Sequence, residues 1–276
     1  MVRKRVRDSP ERRVAFAALC RYGILKQMFN NNKKMIREIK DEDMQVSPAC
    51  TKTPVVGSTV ILGDCVAGMK EYPDKHFDLA VVDPPYGIGW NAMQSEWDAG
   101  RVIKGWTRKF KKYKVAEWDV KPNDEYWIQL FRVSKEQIIW GANHFSLPPT
   151  KCIIFWDKQT GDFSFGDGEI AWCSMGSSIK KFTFRWAGML KGANGNYRED
   201  RFHPTQKPIP LYDWIFNKYA RKGERVLDTH LGSQSSRIAA DKAGLDFTGF
   251  EIDKEYFDAG EKRYQNYKSQ LRIEGW

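Results

Sequence analysis

Phe77-Asp-Leu-Ala-Val-Val-Asp-Pro-Pro-Tyr86 is a short apolar run that stops abruptly on an acid and two prolines. The run from Phe77 to Val82 shows no polar alternation, which predicts a strand buried on both faces, as in a mostly parallel sheet. The proline pair stiffens the chain that follows and removes two N–H donors. The Asp83 carboxylate and the Pro84 carbonyl are thereby left as acceptors at the carboxyl end of the strand. Ligands of open α/β sheets bind at that edge. Two fixed acceptors beside the Tyr86 ring suit a planar exocyclic amino group, which brings two N–H donors and a ring to stack. A chance turn of the same composition is the plainer alternative.

Further strands are predicted on either side at Thr59–Leu62, Gln137–Trp140, Cys152–Trp156, Arg225–Leu227 and Phe247–Phe250. Helices are predicted at Cys65–Tyr72 with Asp64 as its cap, Asn123–Val133, Ile209–Tyr219 and Ser235–Ala243. Strands alternating with helices make an α/β fold, doubly wound around a mostly parallel sheet. Asp228 closes one strand, and Gly232-Ser233 make a small-residue turn before the helix that opens at Ser235. Such a turn lets a ligand approach the backbone. Glu251 follows the next strand, in the place where an acid binds ribose hydroxyls in dinucleotide folds.

Composition sets the bounds. In 276 residues, 41% hydrophobic and 14% aromatic side chains are enough for a real core. No uncharged apolar run nears the roughly 20 residues that span a bilayer, so neither a membrane protein nor a secretory signal is expected. Five scattered cysteines without a C-x-x-C spacing fit free thiols, and four dispersed histidines (His76, His144, His203, His230) mark no metal site. Residues 1–40 carry 12 Lys/Arg against three acids, and the other 236 residues carry 33 against 32. Nearly all of the +10 net charge therefore sits in an N-terminal arm, with a rough helix at Glu11–Phe29. A polyanion is its natural partner; a solvated tail is the alternative. A second basic stretch, Arg101 to Lys114, has seven bases and no acid. Arg101, Lys104, Arg108, Lys109, Lys111 and Lys112 interleave with Trp106 there, a pattern of phosphate-facing cations and base-facing rings.

These motifs together resemble the amino-group DNA methyltransferases, whose signature is [Asp/Asn/Ser]-Pro-Pro-[Tyr/Phe/Trp]. Asp83-Pro84-Pro85-Tyr86 has the form most typical of the adenine-N6 enzymes. His203-Pro-Thr-Gln-Lys-Pro208, Val226-Leu-Asp-Thr-His-Leu-Gly-Ser-Gln-Ser-Ser236 and Phe247-Thr-Gly-Phe-Glu-Ile-Asp253 match further family elements, as do Trp140–Asn143, Phe155–Lys158 and Glu169–Trp172. The catalytic strand precedes the cofactor loop, as in the circularly permuted beta group. The resemblance implies a seven-stranded Rossmann-like sheet over 58–276, a target-recognition region inserted at about 161–201, and 1–57 as arm and linker. It implies S-adenosylmethionine as cofactor, held by Asp64, Cys65, Asp83, Thr205, Lys207, Asp228, Gly232, Ser233, Ser235 and Glu251. Asp83, Pro84, Pro85 and Tyr86 would be catalytic, acting on the N6 amino group of an adenine flipped out of double-stranded DNA. Cytosine-N4 methylation and a catalytically decayed DNA-binding regulator are the rival readings. The implied setting is the cytoplasm of a bacterial or phage-infected cell, with room for a homodimer and a cognate restriction enzyme. One departure stands out: the family's Gly-Ser-Gly is Gly232-Ser233-Gln234. The expectation is a turn at φ < 0 with Gln234 pointing outward; a turn at φ > 0, which would cost a glutamine about 1 kcal/mol, is the alternative.

If the arm clamps DNA, deleting residues 1–40 should lower duplex affinity. The slope of log K against log salt should become shallower by nearly one for each phosphate that the arm no longer neutralises. Titrations at several salt concentrations read that slope directly, and an unchanged slope with unchanged melting would mean a passive tail.

Overall fold

The computed structural model describes residues 57–89, 119–160, 166–187, 190–192 and 197–274, all within the unit Pro54–Trp276. The arm and the basic stretch lie outside the described residues. Arg101, Lys104, Trp106, Arg108, Lys109, Lys111 and Lys112 are among those outside.

In chain order the elements are β1 (Ser58–Leu62), α1 (Cys65–Lys70), β2 (Phe77–Val82), α2 (Asp124–Val133), β3 (Ser134–Trp140), a 3-10 turn (Ala142–His144) and β4 (Cys152–Asp157). Next come β5 (Gly168–Cys173), β6 (Lys180–Thr183), β7 (Trp186–Ala187), β8 (Leu190–Lys191) and α3 (Ile209–Tyr219). The chain then forms β9 (Arg225–Asp228), α4 (Ser235–Ala243), β10 (Asp246–Glu251) and α5 (Lys254–Glu274). Among the described residues the main sheet has eight strands in the order β1-β10-β9-β2-β3-β5-β4-β6, against seven expected. Only β5 runs against the rest. The cofactor half of the motif set (β9, β10) comes late in the chain but sits between β1 and β2, the permuted arrangement.

Both faces of the sheet are covered. On β2, Leu79 and Val81 join a core with Leu211, Ile215 and Phe216 of α3 and Ala239 and Ala240 of α4. Ala80 and Val82 face the other way, onto Met69 of α1 and Tyr126, Leu130 and Val133 of α2. Burial on both faces explains why the strand reads as a continuous apolar run. Each fully buried Leu, Val, Ile or Phe contributes about 1.5–3 kcal/mol. The helix starts are set locally. Asp64 accepts from Ala67 N at 2.7 Å and Asn123 from Tyr126 N at 3.0 Å, side-chain caps for orphan donors.

Among its described residues, the stretch expected as an inserted recognition region supplies β5 and β6 to the main sheet, and the antiparallel β7–β8 pair lies apart from it. Gly-Glu-Ile-Ala-Trp-Cys alternates poorly, and it takes up its strand role by pairing with β3 and β4 on either side. The long α5, absent from the sequence expectation, has a charged, weakly periodic sequence and packs on α4 and β10.

Gly68 in α1 tests the packing of this face. A Cβ there would lie 2.1 Å from the Phe250 ring, which is fully buried. Ala normally favours a helix over Gly by about 1 kcal/mol; forcing a methyl into a rigid ring costs about 1–3 kcal/mol. Gly68→Ala should therefore lower the melting temperature, as calorimetry would show.

Candidate active site

Neighbouring β1, β10, β9, β2 and β3 run parallel, so their carboxyl ends open on one edge. Gly63-Asp64, Glu251, Asp228, Asp83 and Gly141 lie at or just beyond those ends. A cavity of about 360 Å³ lies there, within the range of small-molecule sites. Its lining brings together Asp64, Cys65, Asp83, Pro84, Pro85, Tyr86, Thr205, Lys207, Gly232, Ser233, Ser235 and Glu251. Among the described residues that the resemblance assigns to catalysis or to the cofactor, Asp228 alone is not in this lining. It is buried below the turn, where its carboxylate accepts from Ser236 Oγ at 2.5 Å and His230 N at 3.0 Å. Its part is to brace the start of α4 from within, and burial lifts its pKa to about 7.

At the β2 end, Asp83 Oδ1 accepts from the Tyr86 hydroxyl at 2.7 Å and Oδ2 pairs with Lys207 Nζ at 2.5 Å. Lys207 also pairs with Glu169 Oε2 at 3.0 Å, and its side chain is only 4% exposed. A second lysine, Lys158, reaches the other Glu169 oxygen. Burial alone would lower the Lys207 pKa, but the two carboxylates hold it above the usual lysine value. Burial would raise Glu169; two ammonium groups bring it down to about 2. Asp83 is raised by burial despite Lys207, and the negative Glu169 adds to the rise. One ammonium is thus shared between two carboxylates, and Asp83 is the easier of the two to protonate.

Tyr86 is held on several sides. The His144 ring stacks on one face, with centroids 4.6 Å apart and planes 12° from parallel, and Phe145 meets its edge. Gly141 sits at φ +70°, where a Cβ would come within 2.2 Å of Tyr86 Cε1, so only glycine fits.

The small-residue turn lies at the other side of the cavity. Gly232, at φ +49°, rests against His203, whose ring would meet a Cβ at 3.3 Å. Burial pushes His203 down to about 3, so it is a neutral wedge; Thr205 Oγ1 lies 3.2 Å from its Nδ1. Glu251 braces the turn through Gly232 N at 2.7 Å and takes Asp253 N at 2.9 Å on its other oxygen. Each oxygen keeps a second lone pair for other donors. Burial raises the Cys65 thiol to about 12, leaving it protonated. His230 lines the cavity and is held neutral, near 4, by burial.

Gln234 overturns the expectation made for it. It lies at φ +59° and is completely buried. Its Oε1 accepts from Arg237 Nη1 at 2.8 Å, and its amide donates to Glu261 Oε1 at 3.3 Å. Gly260 of α5 leaves the space, since a Cβ there would come within 2.6 Å of Gln234. The turn does need a left-handed residue, and tertiary contacts supply what a glycine would have given locally. Glu169, His144 and His230 escape sequence reasoning as site residues. Glu169 stands in a motif of the family, but nothing in its spacing says that it meets Lys207.

These residues fit S-adenosylmethionine as a ligand class. The cavity offers acids at two strand ends, an exposed Ile252 and a neutral thiol beside them, and a glycine turn whose backbone is open to close approach.

The sequence model of the N6/N4 DNA methylase family matches residues 106–262, more than half of the chain. The Escherichia coli (strain K12) DNA adenine methyltransferase YhdJ is 26% identical over 240 residues, 74% of this chain and 82% of that protein. The solved M1.HpyAVI–SAM complex is 19% identical, covering 74% of this chain and 98% of its own at a TM-score of 0.44. PvuII DNA methyltransferase, cytosine-N4-specific, is 12% identical with 78% and 90% covered at 0.47.

Gln234→Gly would relieve about 1–2 kcal/mol of left-handed strain. It would also strip buried Arg237 of a partner, a hydrogen bond to a charged group worth about 1.5–3 kcal/mol, and leave a void beside Gly260. The expected outcome is a lower midpoint in chemical denaturation; a higher one would mean that the strain outweighs the contacts.

Proposed function

This chain belongs to the N6/N4 DNA methylase family, and from that premise we propose that it methylates the N6 amino group of an adenine flipped out of duplex DNA, with S-adenosylmethionine as the methyl source. The observation that carries the reading is Asp83-Pro84-Pro85-Tyr86 at the cavity edge, its carboxylate fixed by Tyr86 and Lys207. Asp64, Cys65, Gly232, Ser233 and Glu251 would hold the cofactor, with Glu251 on the ribose hydroxyls and Asp64 toward the adenine amino group. When bound, it supplies an electrophilic methyl group on a sulfonium.

The chain's own groups do the positioning. An amino group inside a duplex cannot reach this cavity, so the base must leave the stack. Tyr86 offers a ring for it, with His144 fixing the other face. The Pro84 carbonyl and Asp83 accept the two amino hydrogens, which turns the nitrogen lone pair toward the methyl donor. Lys207 and the Tyr86 hydroxyl keep the carboxylate in place before the base arrives, so little reorganisation is left for the reaction itself. Lys207 thus serves the acceptor, where the sequence motif had placed it on the cofactor. Adenine over cytosine is supported by the Asp at the first motif position and by the name of the YhdJ relative. Mass spectrometry of nucleosides from methylated DNA tests it: N6-methyladenine is expected, and N4-methylcytosine would overturn it.

Asp83→Ala should lower the single-turnover rate about 10²–10³-fold, with the chain still folded because Glu169 continues to pair Lys207. The rate should also fall in acid as Asp83 takes up a proton. Because the Asp83 pKa is raised, that limb lies above the usual aspartate value of about 3.9. Glu169→Gln removes a charge that raises Asp83 and leaves Lys207 to it alone. Both changes lower the Asp83 pKa, so the acid limb should move to lower pH. A limb that stays put would detach Glu169 from the acceptor.

A further inference from the structure

Glu199 is a buried carboxylate that the mechanism above leaves unused. Its side chain is 5% exposed and takes four donors, three from the 197–209 segment and one from α5. Oε1 accepts from Arg263 Nη2 at 2.6 Å and Gln206 Nε2 at 2.7 Å. Oε2 accepts from the Tyr197 hydroxyl at 2.7 Å and Ile209 N at 3.3 Å. The last is an orphan donor at the start of α3, whose N-cap is Pro208 and has no side-chain cap.

Arg263 stands on α5, one residue beyond the matched family segment. Its other nitrogen, Nη1, donates to Ser233 O at 2.6 Å and Ser235 Oγ at 2.9 Å, so one guanidinium grips the carbonyl side of the small-residue turn. Gln206, in turn, lies between Thr205 and Lys207, and its carbonyl accepts from Trp186 Nε1 at 3.0 Å. The planar fork of arginine spans turn and carboxylate at once; a lysine, as a point donor, cannot do both.

We propose that Glu199 and Arg263 are a positioning pair that sets the turn Gly232–Ser235 for the methyl donor and locks it to the 197–209 segment that delivers Thr205 and Lys207 to the cavity. The inference rests on the cofactor reading above. Neither residue lines the cavity, so both act through others. The turn is left-handed at Gly232 and at Gln234, and the non-glycine Gln234 carries strain there, so its shape depends on what holds it from outside. Glu251 holds its amide side and Arg263 its carbonyl side. The same carboxylate that fixes Arg263 fixes the segment carrying Lys207. Donor site and acceptor site are thereby held in one buried network.

The test measures S-adenosylmethionine affinity by calorimetry on the full chain, with steady-state methylation of duplex DNA and thermal melting alongside. Glu199→Gln keeps the volume and removes the charge. It should weaken cofactor binding roughly tenfold, equivalent to about 1.4 kcal/mol, and raise the KM for S-adenosylmethionine more than it lowers kcat. Arg263→Lys keeps the charge and should weaken binding by a similar factor, serving as the second reading if Glu199→Gln melts. The double variant should be no worse than either alone, because the two act as one unit. Lys262→Ala, exposed on α5, should leave the affinity unchanged. Folded Glu199→Gln and Arg263→Lys variants that bind as the parent does would overturn the pair. A double variant whose losses simply add would overturn it too. A parent chain that binds no S-adenosylmethionine would instead overturn the functional reading itself, which separates the two failures.

Discussion

Lys207, buried between Asp83 and Glu169, is the constraint on which the rest of the site turns. Removing an ammonium and two carboxylates from water costs several kcal/mol per ion, recovered only when geometry and further hydrogen bonds are good. The fold supplies them: Lys158 takes the spare oxygen of Glu169, and the Tyr86 hydroxyl takes that of Asp83. Three stretches distant in sequence, β2, β5 and the 203–208 segment, must therefore arrive together. The ammonium is held there by two carboxylates, and each carboxylate has the ammonium and one further donor beside it.

The same logic governs the turn on the other side of the cavity. A left-handed glutamine costs about 1–2 kcal/mol more than a glycine would. Hydrogen bonds to Arg237 and Glu261 and the space left by Gly260 offset it. Arg237 is itself stacked 3.7 Å over the Tyr264 ring and donates to Ser58 Oγ at 2.7 Å. α5 is thus a structural part of the small-residue turn, bearing on it through Glu261 and Arg263. A loop that reads as a local motif is shaped by a helix that begins only at Lys254.

The geometry also gives the chemistry its direction. A parallel run of five strands puts all their carboxyl ends on one edge, so acceptors, turn and acids face a single cavity. Acceptor and donor halves come from opposite ends of the domain's sequence. The late strands β9 and β10 slot between β1 and β2 to bring them side by side.

The sequence by itself determined the strands and helices of the α/β core, the acceptor edge and the family. Each of these is written in local signals: a two-face apolar run, a capping Asp or Asn, a proline pair, a small-residue turn. Helices at Ile209–Tyr219 and Ser235–Ala243 were legible to the residue. β5, β6 and α5 were not, because β5 and β6 become strands only by pairing with neighbours and α5 is too polar to show a face. The ion triad at Lys207, the His144 stack on Tyr86 and the burial of Gln234 were decided by tertiary structure alone. Each depends on groups far apart in the chain meeting where water is excluded, and a charge or a left-handed backbone is tolerated only once all of its partners are in place.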